Sequence, residues 1–253
     1  MRVDIQISVL SKQGDRARNE DACGYWGTDG AGPICCVLSD GAGGHGGGDV
    51  AARIAVDAVL TEFSQHPESS PARVNELIEL ANAAVIREQQ LQPAIASMRA
   101  TLVLATFDPK NRQVCWGHIG DSRLYFFRGG EVVARTKDHS LIQTMIDAGY
   151  VKAEEGARRP ESSVLVASLG SMEGFTPDVV DGAYAAQTGD AWLLCSDGLW
   201  EHFSDAQVAR MLHESSTPND WLARLDSAVL SAKQNGQDNF SALAVWCRNG
   251  VRA

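Results

Sequence analysis

The chain has 253 residues, long enough for one large domain with a substantial core. Hydrophobic residues make up 44% and charged residues 21%, the balance of a globular protein rather than a disordered or fibrous one. The formal net charge of −10 argues against broad binding to nucleic acid or to an anionic membrane surface, and it obliges any phosphate site to supply local positive charge.

The first forty residues alternate apolar and polar positions and then reach the continuous run Ile34-Cys35-Cys36-Val37-Leu38, which reads as a buried strand. A glycine cluster, Gly41 to Gly48, leads into a helix from Asp49 to about Phe63. Pro67 and Pro71 separate it from a second helix, Ala72 to Gln90. Strands return at Thr101–Phe107, Gln113–Ile119 and Arg123–Phe127, followed by a hairpin turn at Gly129-Gly130. Ser140 to Ala148 has helical spacing, and Gly149 to Ser163, with mixed charge, Gly156 and Pro160, reads as a mobile surface segment. Strand character resumes at Val164–Leu169 and Ala191–Cys195, helices at Ser204–Glu214 and Asp220–Lys233, and a last strand at Phe240–Cys247. Helices come in pairs between groups of strands, which fits a strictly alternating parallel sheet poorly. One α/β domain with largely antiparallel strands, spanning residues 1–253, is the expectation.

No apolar run approaches the roughly 20 residues needed to cross a bilayer. Asp4 stands where a signal peptide would begin its apolar stretch. The six cysteines lie mostly in apolar, strand-like stretches with no Cys-x-x-Cys and no disulfide-like spacing. They read as reduced core residues of a cytoplasmic protein.

Four acidic motifs punctuate this pattern: Arg16-x-x-Asn19-Glu20-Asp21, Ser39-Asp40-Gly41, Ser196-Asp197-Gly198 and Gly236-Gln237-Asp238-Asn239. Asp-Gly alone is an ordinary turn signal. The pairs at 40–41 and 197–198 differ in context, because each follows an apolar run and a serine. Carboxylates are costly to bury unless a cation compensates them, and a glycine carbonyl can add an oxygen ligand. Hard divalent metal ions prefer such donors. Gly41-Ala42-Gly43-Gly44-His45-Gly46 matches the dinucleotide pattern, with Glu62 near the expected acidic position. Asp40 directly before it would oppose a pyrophosphate, and no clear β-α-β series begins there. There is no Walker lysine, no zinc-binding H-E-x-x-H, no nucleophile elbow and no cysteine with an arginine six residues on.

Read in order, the chain resembles the metal-dependent Ser/Thr protein phosphatases of type 2C (the PPM family), above all the bacterial members and among them those associated with type VI secretion. The likeness spans residues 8 to 247 and rests on Gly14-x-Arg16-x-x-Asn19-Glu20-Asp21-Ala22, Ser39-Asp40-Gly41-Ala42-Gly43-Gly44-His45, Gly120-Asp121-Ser122-Arg123, Asp138-His139-Ser140, Leu194-Cys195-Ser196-Asp197-Gly198-Leu199 and Asp238-Asn239-Phe240-Ser241. It implies two packed antiparallel sheets flanked by helix pairs, an α-β-β-α sandwich. It further implies two core Mn²⁺ or Mg²⁺ ions and a third, weaker one. Asp40 would bridge the core pair, Asp197 and Asp238 would complete one site, and Glu20 with the Gly41 carbonyl would serve the other. Asp121, sharing Asp197, would hold the third. Asp21 would orient a water, and Arg16 would grip phosphate. The implied reaction is hydrolysis of phosphoserine and phosphothreonine in proteins by water activated at the binuclear centre, by a monomer that opposes a cognate Ser/Thr kinase.

Competing readings accompany these assignments. Arg18 competes with Arg16, and Asp121 with Arg123 could form only a structural turn and ion pair. Asp138-His139-Ser140 reads as a capped helix start with no chemistry. Ala42 stands where some relatives carry a histidine proposed as general acid; His45 could substitute or could serve a turn. Met98-Arg99-Ala100-Thr101 and Gly117-His118 also depart from the family's usual residues, and Gly149–Ser163 matches its variable flap. A non-catalytic member of the same fold and a dinucleotide-dependent oxidoreductase are the rival functions.

Overall fold

The computed structural model describes residues 3–27, 32–42, 46–152, 164–232 and 236–249. Successive side chains of a strand face opposite ways, so a strand apolar at every position must be covered on both sides. Ile34–Leu38 is such a run. Cys35 and Val37 pack with helices, whereas Ile34, Cys36 and Leu38 pack against a second sheet.

One sheet has the order β1 (Val3–Lys12), β12 (Phe240–Asn249), β11 (Ala191–Cys195), β7 (Arg123–Arg128), β8 (Glu131–Arg135). The other runs β10 (Tyr184–Ala185), β6 (Gln113–Ile119), β5 (Leu102–Asp108), β3 (Ile34–Ala42), β2 (Asp21–Trp26), with β4 (Arg99–Ala100) on β3 and β9 (Asp178–Val179) on β6. Every pairing is antiparallel. Helices α1 (Gly48–Gln65) and α2 (Pro71–Leu91) cover the second sheet, where Ala55, Val59, Leu77 and Ile78 meet Leu102 and Leu104. The short α3 (Leu141–Asp147) follows β8. On the far side, α4 (Asp197–Trp200), α5 (Asp205–His213) and α6 (Pro218–Ser231) cover the first sheet through Leu199, Val208, Trp221 and Leu225. The layers are therefore helix, sheet, sheet, helix, as the sequence resemblance implies.

Local signals account for most boundaries. Ser70 caps α2 with Pro71 in its first turn, and Ser204 with Gln207 forms a capping box on α5. Gly129 and Gly130 both have positive φ, 62° and 85°, as the tight β7–β8 hairpin requires. Val164–Leu169 departs from expectation. It forms no strand, only isolated bridges from Leu165 to Ser140 and from Leu169 to Ala100. Its β-branched residues suit a ladder, but the segment crosses between two partners, leaving Val164 and Val166 exposed. Of the expected mobile segment, residues 153–163 lie outside the described part, as do Gly43, Gly44 and His45. No helix among the described residues is long and apolar enough to cross a membrane.

Between the sheets, Trp192 is fully buried and stacks on Phe126 with centroids 5.0 Å apart, while Phe107 meets it edge-on at 5.1 Å. Trp192→Ala should destabilise the protein by about 3–5 kcal/mol, read from urea unfolding. A change below about 1 kcal/mol would show that the inter-sheet layer can collapse around the missing ring.

Candidate metal centre

Strand register brings the acidic motifs to one end of the sandwich. Asp21 at the start of β2 is directly opposite Asp40 near the end of β3. Leu38 pairs with Val103, Leu102 with Ile119, Arg123 with Cys195 and Cys195 with Ala242. The β6–β7 turn carrying Asp121, the β11–α4 junction carrying Asp197 and the entry to β12 carrying Asp238 therefore open at the same end. There, Arg16, Glu20, Asp40, Gly41, Asp121, Asp197 and Asp238 line a cleft of about 360 Å³.

Main-chain and hydroxyl groups fix these acids. The Asp40 N–H donates to Thr101 Oγ1 at 3.0 Å, and the Thr101 N–H returns a bond to the Asp40 carbonyl at 2.8 Å. Gly41 N–H donates to the Glu20 carbonyl at 3.1 Å. Asn239 clamps the loop before β2: its Oδ1 accepts from Glu20 N–H at 2.9 Å, and its Nδ2 donates to the carbonyls of Gln13 and Arg18 at 2.6 and 2.9 Å. Ser196 Oγ donates to Asp21 Oδ2 at 2.8 Å and accepts from Ser241 N–H at 2.9 Å. Glycine at 48 keeps one corner open. A Cβ there would lie 2.8 Å from the Gly41 carbonyl oxygen and 3.2 Å from Glu20 Cδ.

Burial first, and mutual repulsion second, pushes the carboxyls of Asp40 and Asp121 well above the usual range, with Asp197 the strongest like-charge repulsion for both. Burial raises Asp197 as well, partly offset by a carboxyl–carboxyl hydrogen bond with Asp40. Asp21 is pushed up to about 7, again chiefly by burial, and its Oδ1 is buried without a partner. Burial and Asp49 raise Glu20. Among the described residues, the cation lining the cleft is Arg16, whose Nη2 lies 2.5 Å from Asp238 Oδ2; its side chain is 59% exposed, so its compensation is partial. An oxygen-only donor set, carboxyls that hold protons when no cation is near, an orphaned carboxylate oxygen and the corner kept open by Gly48 all fit hard divalent ions.

The sequence alternatives resolve against this geometry. Arg16 is on the cleft wall, while Arg18 lines a neighbouring depression. The Asp121–Arg123 ion pair does not form. Arg123 instead grips Asp138 through Nε at 2.8 Å and Nη2 at 2.6 Å, with its guanidinium 3.4 Å from the Trp200 ring centroid. Glu62, the acid offered for dinucleotide binding, pairs with Arg73 at 2.9 Å, and Gly41-Ala42 belongs to the end of β3. Asn239, Thr101 and Gly48 lie within stretches the sequence marks but receive no role there, because their part is to hold main chain rather than to offer charge. The asparagine beside Asp238 was the available signal.

The chain matches the family described as Protein phosphatase 2C over residues 11–233. The chain belongs to the protein phosphatase 2C family. PhpP of Streptococcus pneumoniae, a protein phosphatase, is 32% identical over 212 residues, covering 81% of this chain and 82% of PhpP. PstP of Mycobacterium tuberculosis, a serine/threonine protein phosphatase, is 32% identical over 198 residues, 78% of this chain; the match spans only 36% of PstP's length. The PstP catalytic domain in complex with two manganese ions superposes with a TM-score of 0.82 at 27% identity, covering 98% of this chain and 100% of that one. PppA, a key regulatory component of T6SS in Pseudomonas aeruginosa, superposes at 0.76 with 27% identity, over 97% of this chain and 99% of that one. The two antiparallel sheets and their helices are thus those of the protein phosphatase 2C fold.

The raised carboxyls set a pH dependence. In the unfolded chain Asp21 ionises near pH 4, whereas folded it keeps its proton to about 7. Between those values the folded state binds more protons, so raising the pH removes stability from the metal-stripped protein. A divalent cation competes with the same protons, and its binding strengthens as they leave. The melting temperature in EDTA should therefore fall from about pH 5.5 to about pH 7.5, while the increment given by millimolar Mn²⁺ grows. An increment that shrinks with rising pH would count against cation binding at these acids.

Proposed function

We propose that this protein is a Mn²⁺- or Mg²⁺-dependent phosphatase that hydrolyses phosphoserine and phosphothreonine in proteins, yielding the free hydroxyl and inorganic phosphate. The observation that carries this reading is the convergence of Asp40, Asp121, Asp197 and Asp238 on one cleft where burial and repulsion call for cations. Asp40 would bridge two core ions, with Asp197 and Asp238 on one and Glu20 with the Gly41 carbonyl on the other; Asp121 with Asp197 would hold a weaker third. When bound, the ions supply a nucleophile from water at neutral pH and stabilise charge on the phosphoryl oxygens.

The chain's own residues do the rest. Arg16 commits one nitrogen to Asp238, and its remaining N–H donors suit two phosphate oxygens. Asp21 keeps Oδ2 on the Ser196 hydroxyl, and its unpartnered Oδ1, just behind the cleft acids, would accept a hydrogen bond from a water held by the bound ions. Ala42 lines the cleft and has no proton to offer the leaving oxygen.

We read residues 1–253 as one catalytic domain acting as a monomer in the cytoplasm, on phosphoproteins made by a cognate Ser/Thr kinase. The names of PstP and PhpP support protein substrates, and the likeness to PppA supports a setting in type VI secretion. The rival of a non-catalytic family member would be favoured by loss of a core acid; Glu20, Asp40, Asp197 and Asp238 are all present.

A phosphothreonine peptide assay with EDTA, Mg²⁺ or Mn²⁺ tests the reading. Turnover should require metal and fall by more than about 100-fold in Asp40→Asn or Asp197→Asn, beyond what loss of an outer hydrogen-bond partner costs. A folded protein inactive with every metal would favour the non-catalytic rival. Arg16→Ala should lower kcat/KM about 10- to 100-fold, the loss of a charge-assisted bond of about 1.5–3 kcal/mol, with metal activation unchanged. An unaltered kcat/KM would move phosphate binding to another residue.

A further inference from the structure

The Asp138-His139-Ser140 segment does more than begin a helix. Ser140 caps α3 as expected, its hydroxyl accepting from Gln143 N–H at 3.3 Å. His139 has a different target. Its main-chain N–H donates to the Gly120 carbonyl at 2.9 Å, and its Nδ1 accepts from Gly120 N–H at 3.2 Å. One residue thus takes both main-chain groups of the residue immediately before Asp121. The turn is also pressed from the other side: Gly120 has φ +98°, and a Cβ there would lie 2.6 Å from Thr101 Cγ2. Beyond it, Trp200 Nε1–H donates to the Asp121 carbonyl at 2.9 Å.

The bonds fix the imidazole tautomer. A neutral ring has one lone pair and one N–H. With Nδ1 accepting from Gly120, Nε2 carries the hydrogen, and it lies 3.2 Å from Asp178 Oδ2 on β9. His118 stacks on the ring with centroids 4.6 Å apart, its Nε2 held 2.8 Å from the Lys137 carbonyl. His118, His139 and Asp178 do bring one ligand atom each within 4.8 Å of one another, the spacing of a metal site. Ligation through His139 Nε2, however, would need the lone pair there and would set an N–H against the Gly120 N–H. The tautomer serves the turn instead.

We infer that His139 is a positioning residue for Asp121, acting through Nδ1 to hold the β6–β7 turn so that the Asp121 carboxyl stays beside Asp197. This rests on the reading of Asp121 as a ligand of the weaker ion. Asp178 and the His118 stack hold the ring, and the ring holds the turn, an outer layer of the kind that tunes metal affinity.

Two near-isosteres separate this from a general structural role. His139→Asn puts Oδ1 where Nδ1 lies and keeps the acceptor for Gly120; His139→Gln puts its amide near Nε2 and loses that acceptor. The whole chain would be titrated with Mn²⁺ and followed by electron paramagnetic resonance, which needs no turnover, beside thermal unfolding. His139→Asn should hold the weak class of Mn²⁺ sites within about twofold of wild type, and His139→Gln should weaken it about 10- to 100-fold, both leaving the tight class unchanged. Asp121→Asn should lose the same weak class. Equal behaviour of the two His139 variants, or tight and weak classes shifting together, would overturn the inference. Absence of tight Mn²⁺ binding in the wild type would overturn the two-ion reading itself, and this inference with it.

Discussion

Carboxylates brought together away from water repel one another and lose their hydration, and this site gathers several, with the partly exposed Arg16 as the arginine lining the cleft among the described residues. Such an arrangement persists only if the scaffold forces it and a cation relieves it. The forcing comes from strand register: Asp21 and Asp40 are locked opposite each other by the β2–β3 ladder, and the Asp40 main chain is tied on its other side to Thr101. Neither acid can withdraw without unpairing a strand whose neighbouring residues Cys36, Val37 and Leu38 are wholly buried. The core's apolar burial therefore bears the electrostatic cost of the site.

What surrounds the acids matters as much. The groups that hold the strand ends are neutral: Ser39 donates to the Thr101 carbonyl, Thr101 pairs with Ser122, and Ser196 bridges Asp21 and the Ser241 N–H. All four serines are fully buried. Hydroxyls satisfy main chain and carboxylate without adding charge, so they rigidify the site and leave the positive charge to be supplied from outside the chain. Near the cleft, the largely buried Arg123 is spent on Asp138 through two bonds, one step removed from Asp121. Apart from the exposed Arg16–Asp238 pair at the rim, arginine anchors the acid outside the cleft and hydroxyls hold the strand ends within it.

Legibility followed physical kind. Long apolar strands were readable because two-sided burial leaves continuous runs such as Ile34–Leu38, and the paired helices because Pro71, Ser70 and Ser204 mark their starts. The acids were readable because Asp-Gly after a buried run is a costly placement. Val164–Leu169 misled, since β-propensity reports a side chain's fit to a pleated surface and says nothing of whether a partner strand is in reach. The contacts of Asn239, Gly48 and His139 were illegible for a related reason: each acts on the main chain of a residue distant in sequence, and no local pattern encodes such a contact.

Charge at two ranges reconciles the acidic chain with the phosphorylated substrate proposed for it. The net charge of −10 repels phosphate at a distance, but salt screens exposed charges over about 8 Å at physiological ionic strength. Within the cleft the decisive terms are local. Each divalent ion would bring two positive charges, offset by whatever protons its carboxyls release, and would stand beside the Arg16 donors left over from Asp238. The overall acidity costs little at the site, and it disfavours anionic surfaces that cannot reach into it.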